Sequence, residues 1–363
     1  MQNPQTILVV ITRRIGDVLL CTPLIHSLKS AWPNTVVDVL VFAGTESILL
    51  ENSDINQIIT IAERPSLGEH LKLIKKIRRQ YDLSISCLSG DRPTIYTWIA
   101  GKRRIGLLEH TKKNQWKQLL LSQWVVFDSQ NTHTVSMYLA LAKVLNIPAL
   151  PEVILQWNKQ QSQYVDGLFK LTKTYAVLHI YPKYVYKMWH QAGWLSLANW
   201  LISKNILVIL TGSRDIDEMQ YVDDFFNQLP IGSINLCGKL NLNQIAYLLS
   251  RASLYIGPDT SVTHIAAAMS TPSIALFGPS NPIKWGPWPA KQAETASPYI
   301  AKGSQSVGNI SLLQGCATKN GQDCVPCYKA GCNDNNDSHS QCLDNLSAQA
   351  VINAASLKLN IHA

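Results

Sequence analysis

One stretch, residues 255–280, most constrains how this chain can fold, because it predicts a strand, a helix and a second strand in close succession. The apolar residues 254–256 predict a short buried strand, which a Gly-Pro pair ends. The Ala-rich residues 262–269 predict a helix, and the apolar run 273–277 predicts the next strand. A strand–helix–strand unit of this kind belongs to a parallel α/β sheet.

The turn that opens this helix carries several polar groups. Thr260 and Ser261 can cap the helix, and the backbone N–H groups of residues 260–262 then face the carboxyl edge of the sheet. Such amides favour an anion such as phosphate or pyrophosphate. Asp259 lies beside them and His264 one turn further on. On spacing alone, an ordinary capped turn explains the pattern equally well.

Apolar runs alternate with helical patterns in both halves of the chain, which predicts two doubly wound α/β domains. The first half lacks a Gly-x-Gly-x-x-Gly motif, so nothing supports a nicotinamide or flavin site there. We expect domains at residues 1–160 and 161–345, and a closing helical segment at 346–363. A link at 149–174 and a long polar excursion at 290–342 complete this division.

Charge is unevenly distributed along the 363 residues, which carry a net +8. Residues 1–150 hold 17 of the 32 Lys and Arg and 11 of the 24 Asp and Glu residues, a net charge of +6. The first half is therefore the better candidate for binding an anionic partner. No signal peptide and no apolar run of about 18 residues is visible. We expect a cytoplasmic protein, soluble or peripheral on a membrane.

Five of the eight cysteines crowd into residues 316–342, and the other three lie in apolar or strand-end contexts that suit packing. Cys324 and Cys327 form a Cys-x2-Cys pair, the half-signature of a structural zinc site. The remaining spacing is irregular, with nine residues between Cys332 and Cys342. Inert thiols, a structural zinc and disulfides all remain open, although a reducing cytoplasm disfavours disulfides.

Two segments resemble the signatures of a known family. Residues 257–282 (GPDTSVTHIAAAMSTPSIALFGPSNP) and 7–41 (ILVVITRRIGDVLLCTPLIHSLKSAWPNTVVDVLV) are similar to the lipopolysaccharide heptosyltransferase family, glycosyltransferase family nine. Ser261 stands where that family usually has glycine, which adds a side chain where backbone meets phosphate. The resemblance implies the GT-B fold, in which two Rossmann-like domains face a central cleft.

The resemblance also implies a reaction. It implies transfer of a heptose, or a similar sugar, from an ADP-sugar to a lipopolysaccharide core acceptor, with inversion at the anomeric carbon and without a metal or other cofactor. The first domain would bind the acceptor and the second the donor. Asp17 matches the proposed catalytic base of the family. Without the family, Asp17 would be a favourable carboxylate in a first helical turn, worth about 0.3–1 kcal/mol.

Further donor-site residues follow from the same resemblance. Lys187 matches a Lys-x-Trp element whose lysine meets the donor phosphates, and an ammonium suits a departing diphosphate. Gly212 lies in a turn after which an acidic residue meets the ribose, and either Asp217 or Glu218 could serve, with a slight preference for Glu218. Asp215-x-Asp217 also spells a metal-binding element of another glycosyltransferase fold, but acidic residues are common in first helical turns, and two carboxylates alone bind a hard cation poorly.

Basic residues of the first half suit an anionic acceptor. Arg13 and Arg14 directly precede Gly16-Asp17, and Arg92 and Arg104 follow later predicted strands, so they could extend one basic wall. The basic helical stretch at residues 72–79 reads mainly as a solvated face. Peripheral contact with the cytoplasmic face of the inner membrane fits such an acceptor, and no feature points to nucleic acid.

Two alternative functions remain at this stage. A nucleotide-sugar epimerase has a similar architecture but needs no acceptor. A non-catalytic protein that binds sugar nucleotides or glycans would turn nothing over. The sequence does not determine the sugar, the acceptor hydroxyl or the oligomeric state.

Overall fold

The computed structural model describes residues 3–111, 114–169, 174–319 and 321–361. They form two compact units, of which the first comprises Met1–Gln156 with Gln292–Ser297 and the second comprises Trp157–Lys291 with Pro298–Ala363. Residues 362–363 of the expected closing segment lie outside the described residues.

The first unit is built on a parallel sheet, with six strands in the part of the chain that the structure describes. They are β1 (Thr6–Ile11), β2 (Val36–Phe42), β3 (Gln57–Ile61), β4 (Tyr81–Ser86), β5 (Gly101–Glu109) and β6 (Gln123–Phe127). Their order across the sheet is β3-β2-β1-β4-β5-β6. The order reverses between β1 and β4, and ligands of doubly wound sheets bind at such a switch point.

Helices cover both faces of this sheet, as the doubly wound order requires. They are α1 (Ile15–Leu20), α2 (Thr22–Ala31), α3 (Leu67–Ile77), α4 (Asp91–Ala100), α5 (Gln115–Gln118) and α6 (Thr134–Val144), with a 3₁₀ turn at Glu46–Leu49. The sequence predicted one helix over residues 18–31, whereas the structure has α1 and α2, which meet at Cys21. Pro23 lies in the first turn of α2, where its missing N–H costs no hydrogen bond, so the proline begins a new helix here.

The second unit contains a seven-stranded sheet within its described residues. The strands are β7 (Tyr175–Leu178), β8 (Leu207–Leu210), β9 (Ser233–Asn235), β10 (Leu254–Pro258), β11 (Ser273–Phe277), β12 (Gln305–Val307) and β13 (Ile310–Gln314). Their order is β12-β13-β11-β10-β7-β8-β9, and only the β12–β13 pair is antiparallel. A separate short hairpin pairs β14 (Thr318–Lys319) with β15 (Gln322–Asp323). The order reverses between β7 and β10, which gives this unit its own switch point.

The helices of the second unit surround this sheet. They are α7 (Lys159–Leu168), α8 (Gln191–Ser203), α9 (Ile216–Phe226), α10 (Leu242–Ser250), α11 (Ser261–Ala268), α12 (Pro282–Trp285), α13 (Gln341–Asp344) and α14 (Ala348–Leu359), with a 3₁₀ turn at Val185–Lys187. The last helix, α14, buries Val351 and Ala355 in the same core as Trp194 of α8. No helix in the described part of the chain is long and apolar enough to cross a membrane.

The predicted α/β class with two doubly wound domains is confirmed, and two segments contain regular structure that the sequence did not predict. The expected link at 149–174 contains α7, whose single fully buried side chain, Val165, gives too weak an apolar period to recognise. The expected excursion at 290–342 contains β13, which pairs with β11 and so belongs to the main sheet. The β13 strand is a five-residue run among polar neighbours, and only its pairing partner identifies it.

Candidate functional site

The turn between β10 and α11 depends on one glycine. A Cβ on Gly257 would lie 2.0 Å from the hydroxyl oxygen of Tyr255, which itself lies 2.8 Å from Thr263 Oγ1 of α11. Only glycine therefore allows the strand to end this close to the helix. Thr260 is the N-cap residue but makes no side-chain capping hydrogen bond. The first-turn amides, which begin at Ser261, therefore lack the expected side-chain cap and suit an anion.

Lys187 and Asp259 form an ion pair at this turn. Lys187 Nζ lies 2.6 Å from Asp259 Oδ2 and donates to the Asp259 carbonyl oxygen at 3.2 Å. Burial raises the pKa of Asp259, but the Lys187 charge and hydrogen bonds from Lys187 and Ser280 outweigh it and hold that pKa below its ordinary value. Asp259 is therefore ionised, and it anchors the ammonium of Lys187 at the end of β10.

His264 adds a neutral polar group beside this pair. The side chain is buried in α11, and its Nδ1 has no hydrogen-bond partner among the described residues. Burial lowers the pKa of His264 to about 4. The Lys187 charge also lowers this pKa, whereas the Asp259 charge raises it and only partly offsets burial. The imidazole is therefore uncharged at neutral pH and retains an unsatisfied ring nitrogen.

The turn after β8 also requires glycine. A Cβ on Gly212 would lie 2.4 Å from Cys237 Sγ and 2.7 Å from Glu218 Oε1. Burial raises the pKa of Cys237 to about 12, so its sulfur is a neutral thiol. The missing side chain of Gly212 therefore leaves the Glu218 carboxylate close to the backbone at the strand end.

Glu218 and its neighbour Asp217 differ in their surroundings. Glu218 is buried, accepts a hydrogen bond from Ser213 Oγ at Oε2, and has an Oε1 atom without a partner in the described part of the chain. Asp217 is exposed, and its backbone amide donates to the N-cap residue Asp215. The buried carboxylate with a spare acceptor is therefore that of Glu218.

His179 is a candidate site residue that the sequence did not reveal. It directly follows β7, is buried, and its Nδ1 donates to the Thr211 carbonyl oxygen at 3.1 Å. Burial lowers its pKa against the opposing charge of Glu218, so the ring is neutral. Because β10, β7 and β8 are neighbours, Asp259, His179 and Gly212 share one carboxyl edge at the switch point. The sequence did contain one signal for His179, namely a polar residue directly after an apolar run that predicts a buried strand.

In the first unit, Asp17 lies in α1 at the carboxyl end of β1. It is buried, with Arg13 Nε 3.8 Å from its Oδ2 atom, and Arg14 is the N-cap residue of the helix. The buried Tyr138 hydroxyl has no partner among the residues described, and burial together with the Asp17 charge raises its pKa. Asp17 therefore lies at the switch point of its own sheet, beside a cation and a buried phenol.

Arg92 and a buried lysine lie at the neighbouring strand end. Arg92 is in the first turn of α4, and its Nη1 donates to the Glu63 carbonyl oxygen at 2.7 Å. Lys117, which the sequence analysis missed, is buried, lies 2.7 Å from Asp91 Oδ1 and donates to the Ser89 carbonyl oxygen. Its polar neighbours in the sequence give no apolar period, and only the tertiary contacts identify Lys117 as buried.

The expectation that Arg104 follows a strand and lies near Asp17 is wrong. Arg104 lies inside β5, opposite Ser84 in the middle of β4, and its Nε is buried without a hydrogen-bond partner in the described residues. Lys102, two residues earlier, pairs with Asp82 at the opposite, amino-terminal edge of the sheet. The run was misplaced because β5 begins at Gly101, directly after α4 and without a connecting loop.

The cysteine segment does not form a recognisable metal centre. Among the described residues no group of three or more His, Cys, Asp or Glu side chains could hold a metal ion, and all eight cysteines are free thiols. Burial raises the pKa of Cys342 to about 12, and the charges of the neighbouring thiols Cys327, Cys332 and Cys324 add to this rise. Neither the zinc nor the disulfide alternative is therefore supported by this arrangement.

Comparison with known proteins identifies the family. The model of glycosyltransferase family 9 (heptosyltransferase) matches residues 70–310. Lipopolysaccharide heptosyltransferase 3 of Escherichia coli is 26% identical over 287 residues, which cover 75% of this chain and 83% of that protein.

Two solved structures share the fold. A family 9 glycosyltransferase from Veillonella parvula superposes with a TM-score of 0.77 at 18% identity and covers 98% of this chain and 97% of its own. The ADP-heptose lipopolysaccharide heptosyltransferase II of E. coli gives a TM-score of 0.73 at 20% identity, with 98% of each chain covered. The fold is thus that of the GT-B heptosyltransferases, and because the family match spans well over half of the sequence, this chain belongs to glycosyltransferase family 9, the heptosyltransferases.

Proposed function

We propose that this protein transfers a heptose from ADP-heptose to a sugar of the lipopolysaccharide core, with inversion at the anomeric carbon. The names of its relatives support this substrate pair, since they act on lipopolysaccharide and one is described as an ADP-heptose enzyme. The second unit would bind the donor and the first unit the acceptor. The observation that carries the proposal is the Lys187–Asp259 ion pair beside the uncapped start of α11.

The donor diphosphate would bind at this turn. The first amides of α11, which include that of Ser261, and the ammonium of Lys187 supply positive potential, and a helix N-terminus is a general phosphate site. As the sugar–phosphate bond breaks, negative charge grows on the departing ADP, and both groups stabilise it. Asp259 would hold Lys187 in position rather than contact the phosphates. On this account no metal is needed.

The nucleoside would extend along the same sheet edge toward β8. Glu218 Oε1 is a buried acceptor without a partner among the described residues, which suits the hydroxyl of a ribose. Gly212 leaves room for the backbone and carboxylate to approach the sugar. We prefer Glu218 over the exposed Asp217 for this role.

Asp17 would act as the general base that takes the proton from the attacking acceptor hydroxyl. Its position after β1 is that of a ligand-binding residue in a doubly wound sheet. Direct displacement by this hydroxyl inverts the anomeric carbon. Arg13, Arg14 and Arg92 would bind carboxylates or phosphates of the acceptor, whereas Arg104 has no place in this scheme.

The test combines purified protein, ADP-heptose and a core acceptor, with mass spectrometry of the products and NMR of the new anomeric centre. We expect acceptor enlarged by one heptose, with anomeric configuration opposite to that of the donor, and unchanged activity in excess chelator. Isomerised sugar from donor alone would indicate an epimerase. Donor binding without any product would indicate a binding protein, and loss of activity that Mg²⁺ or Mn²⁺ restores would contradict the metal-free reaction.

A further inference from the structure

Helix α3 exposes leucines that no other described residue of the chain covers. Leu67 and Leu71 are 83% and 66% exposed, although they lie one turn apart on a helix whose opposite side, with Leu73 and Ile77, packs in the core. Single exposed apolar residues are ordinary, but adjacent ones form a patch. This helix therefore presents an apolar strip to solvent.

The strip continues onto the neighbouring helix. The α4 helix packs against α3, and the Tyr96 hydroxyl of α4 lies 3.0 Å from His70 Nδ1 of α3. On its outer side α4 exposes Ile95 and Trp98, of which Trp98 is 46% exposed.

Further apolar residues are exposed on the same face of the sheet, at its edge strand β6. The Ser84 hydroxyl of β4 donates a hydrogen bond to the α4 backbone, so this side of β4 faces α4. Ser86, two residues further along the strand, points to the same side. The parallel register pairs Ser86 with Gly106 and Gly106 with Trp124, which places Trp124 on this face as well. We call this surface the α3–β6 face. Its exposed apolar members are Leu67, Leu71, Ile95, Trp98, Trp124 and Val126.

Cations flank the apolar strip. Exposed basic residues follow the leucines along α3 and just beyond it, namely Lys72, Lys75, Lys76, Arg78 and Arg79. The acidic residue of this helix, Glu69, is engaged in a capping box with Ser66. An amphipathic helix with apolar and lysine-rich sides, on a face that also exposes Trp98 and Trp124, matches the chemistry of a membrane interface.

We propose that the α3–β6 face docks this protein onto an anionic phospholipid surface. Leucine and tryptophan side chains would enter the headgroup region while the α3 cations pair with lipid phosphates. The inference deepens the proposed function, on which it rests for the idea that the acceptor is a membrane glycolipid. The docking itself is tested without the reaction.

The experiment measures binding to vesicles of phosphatidylethanolamine with phosphatidylglycerol, and to phosphatidylcholine vesicles, by co-sedimentation. We expect binding to the anionic vesicles that falls with added salt. Leu67→Ser/Leu71→Ser should weaken it about tenfold, and Lys72→Glu/Lys75→Glu about thirtyfold or more, since each cation near such a surface contributes on the order of fivefold. The controls are Ile231→Ser/Leu357→Ser, at positions of the second unit that are at least as exposed, and Lys159→Glu/Lys204→Glu.

Three outcomes would overturn the proposal. These are wild-type binding that is absent or equal on both vesicle types, control variants that lose as much binding as the α3 variants, and α3 variants that bind like wild type. Self-association of wild-type protein in solution that the α3 variants abolish, without vesicle binding, would assign the face to a second copy. If vesicle binding holds but no heptosyl transfer occurs, the proposed function fails while the docking surface stands.

Activity gives a further readout. On an acceptor embedded in vesicles, the Leu67→Ser/Leu71→Ser variant should raise the apparent KM about tenfold, in step with its weaker binding. On a soluble, lipid-free core fragment it should match wild type, because these leucines are not part of the proposed site. Equal losses on both acceptors would indicate a structural role instead.

Discussion

Lys187 Nζ lies 2.6 Å from Asp259 Oδ2, although 72 residues separate the two in the chain. The lysine side chain is 21% exposed and the aspartate side chain 8%. The buried carboxylate thus fixes the ammonium of a partly exposed lysine side chain. The pair has two roles, because loss of the lysine removes a phosphate contact and also leaves Asp259 uncompensated.

We predict that Lys187→Ala weakens ADP binding by about 1.5–3 kcal/mol, the scale of a hydrogen bond to a charged group. It should also lower the free energy of unfolding by about 3 kcal/mol, because a buried carboxylate loses its partner. Calorimetric titration with ADP and urea unfolding measure the two effects. The exposed Lys204→Ala is the matched control. Wild-type ADP affinity in Lys187→Ala would exclude the proposed phosphate contact.

Gly212→Ala should damage the nucleoside end of the site. The added methyl meets Cys237 Sγ at 2.4 Å and Glu218 Oε1 at 2.7 Å, and such overpacking costs about 1–3 kcal/mol. We expect an ADP affinity at least tenfold lower, measured by calorimetry, with α9 displaced from the strand end.

The control for that substitution is Gly167→Ala in α7, where an added Cβ meets nothing within 4 Å. Alanine is the better helix former there, so this variant should gain about 0.5–1 kcal/mol of stability and bind ADP like wild type. If both glycine variants behave alike, the close approach at Gly212 has no functional meaning.

Local signals in the sequence were sufficient to predict much of this fold. The strand at 273–277 was predicted with the bounds of β11, because a turn signal flanks an apolar run on each side. The α11 turn was predicted for the same reason. The residues of its first turn and Asp259 lie close together in sequence, so spacing alone grouped them.

Contacts between distant segments were not predictable in the same way. His179 and Lys117 take their roles from Thr211 and Asp91, which are 32 and 26 residues away. Arg104 was misplaced because its strand starts directly at the end of a helix. Sheet pairing decided the outcome for His179 and Arg104, and contacts between α5 and the start of α4 decided it for Lys117. Sequence spacing carries no record of either.

His264 should make the second unit sensitive to acid. Its folded pKa, about 4, lies below the ordinary value of 6.5, so the unfolded chain binds more protons between these values. Stability is therefore full above pH 6.5 and is lost as pH falls toward 4, by about 2 kcal/mol between pH 7 and pH 5. Urea unfolding at both pH values should show this loss.

The comparison variant is His264→Gln, which should lose correspondingly less stability between pH 7 and pH 5 than wild type. His110→Gln removes an exposed histidine and should retain the full wild-type loss. Parallel pH profiles for wild type and His264→Gln would show that this histidine is not the acid-sensitive group.

Asp17→Asn tests the proposed base. Asparagine keeps the shape of the side chain but cannot take the proton from the attacking hydroxyl of the acceptor sugar. Turnover should therefore fall by about 10²-fold or more. ADP affinity should stay nearly unchanged, because the proposed donor residues lie in the second unit. A coupled ADP-release assay gives the rate and calorimetry the affinity. Turnover at the wild-type level would eliminate Asp17 as the base.

The last prediction concerns the charge of the acceptor. Residues 1–150 carry a net +6, and Arg14 is the N-cap of the helix that holds Asp17. Arginine binds carboxylates and phosphates through paired hydrogen bonds, and salt screens the attraction. Arg14→Ala should therefore raise the acceptor KM about tenfold without changing ADP affinity, and the wild-type KM should rise with salt. The exposed Arg251→Ala in the second unit is the control. A neutral acceptor that reacts equally well, with no effect of salt or of Arg14→Ala, would contradict an anionic acceptor.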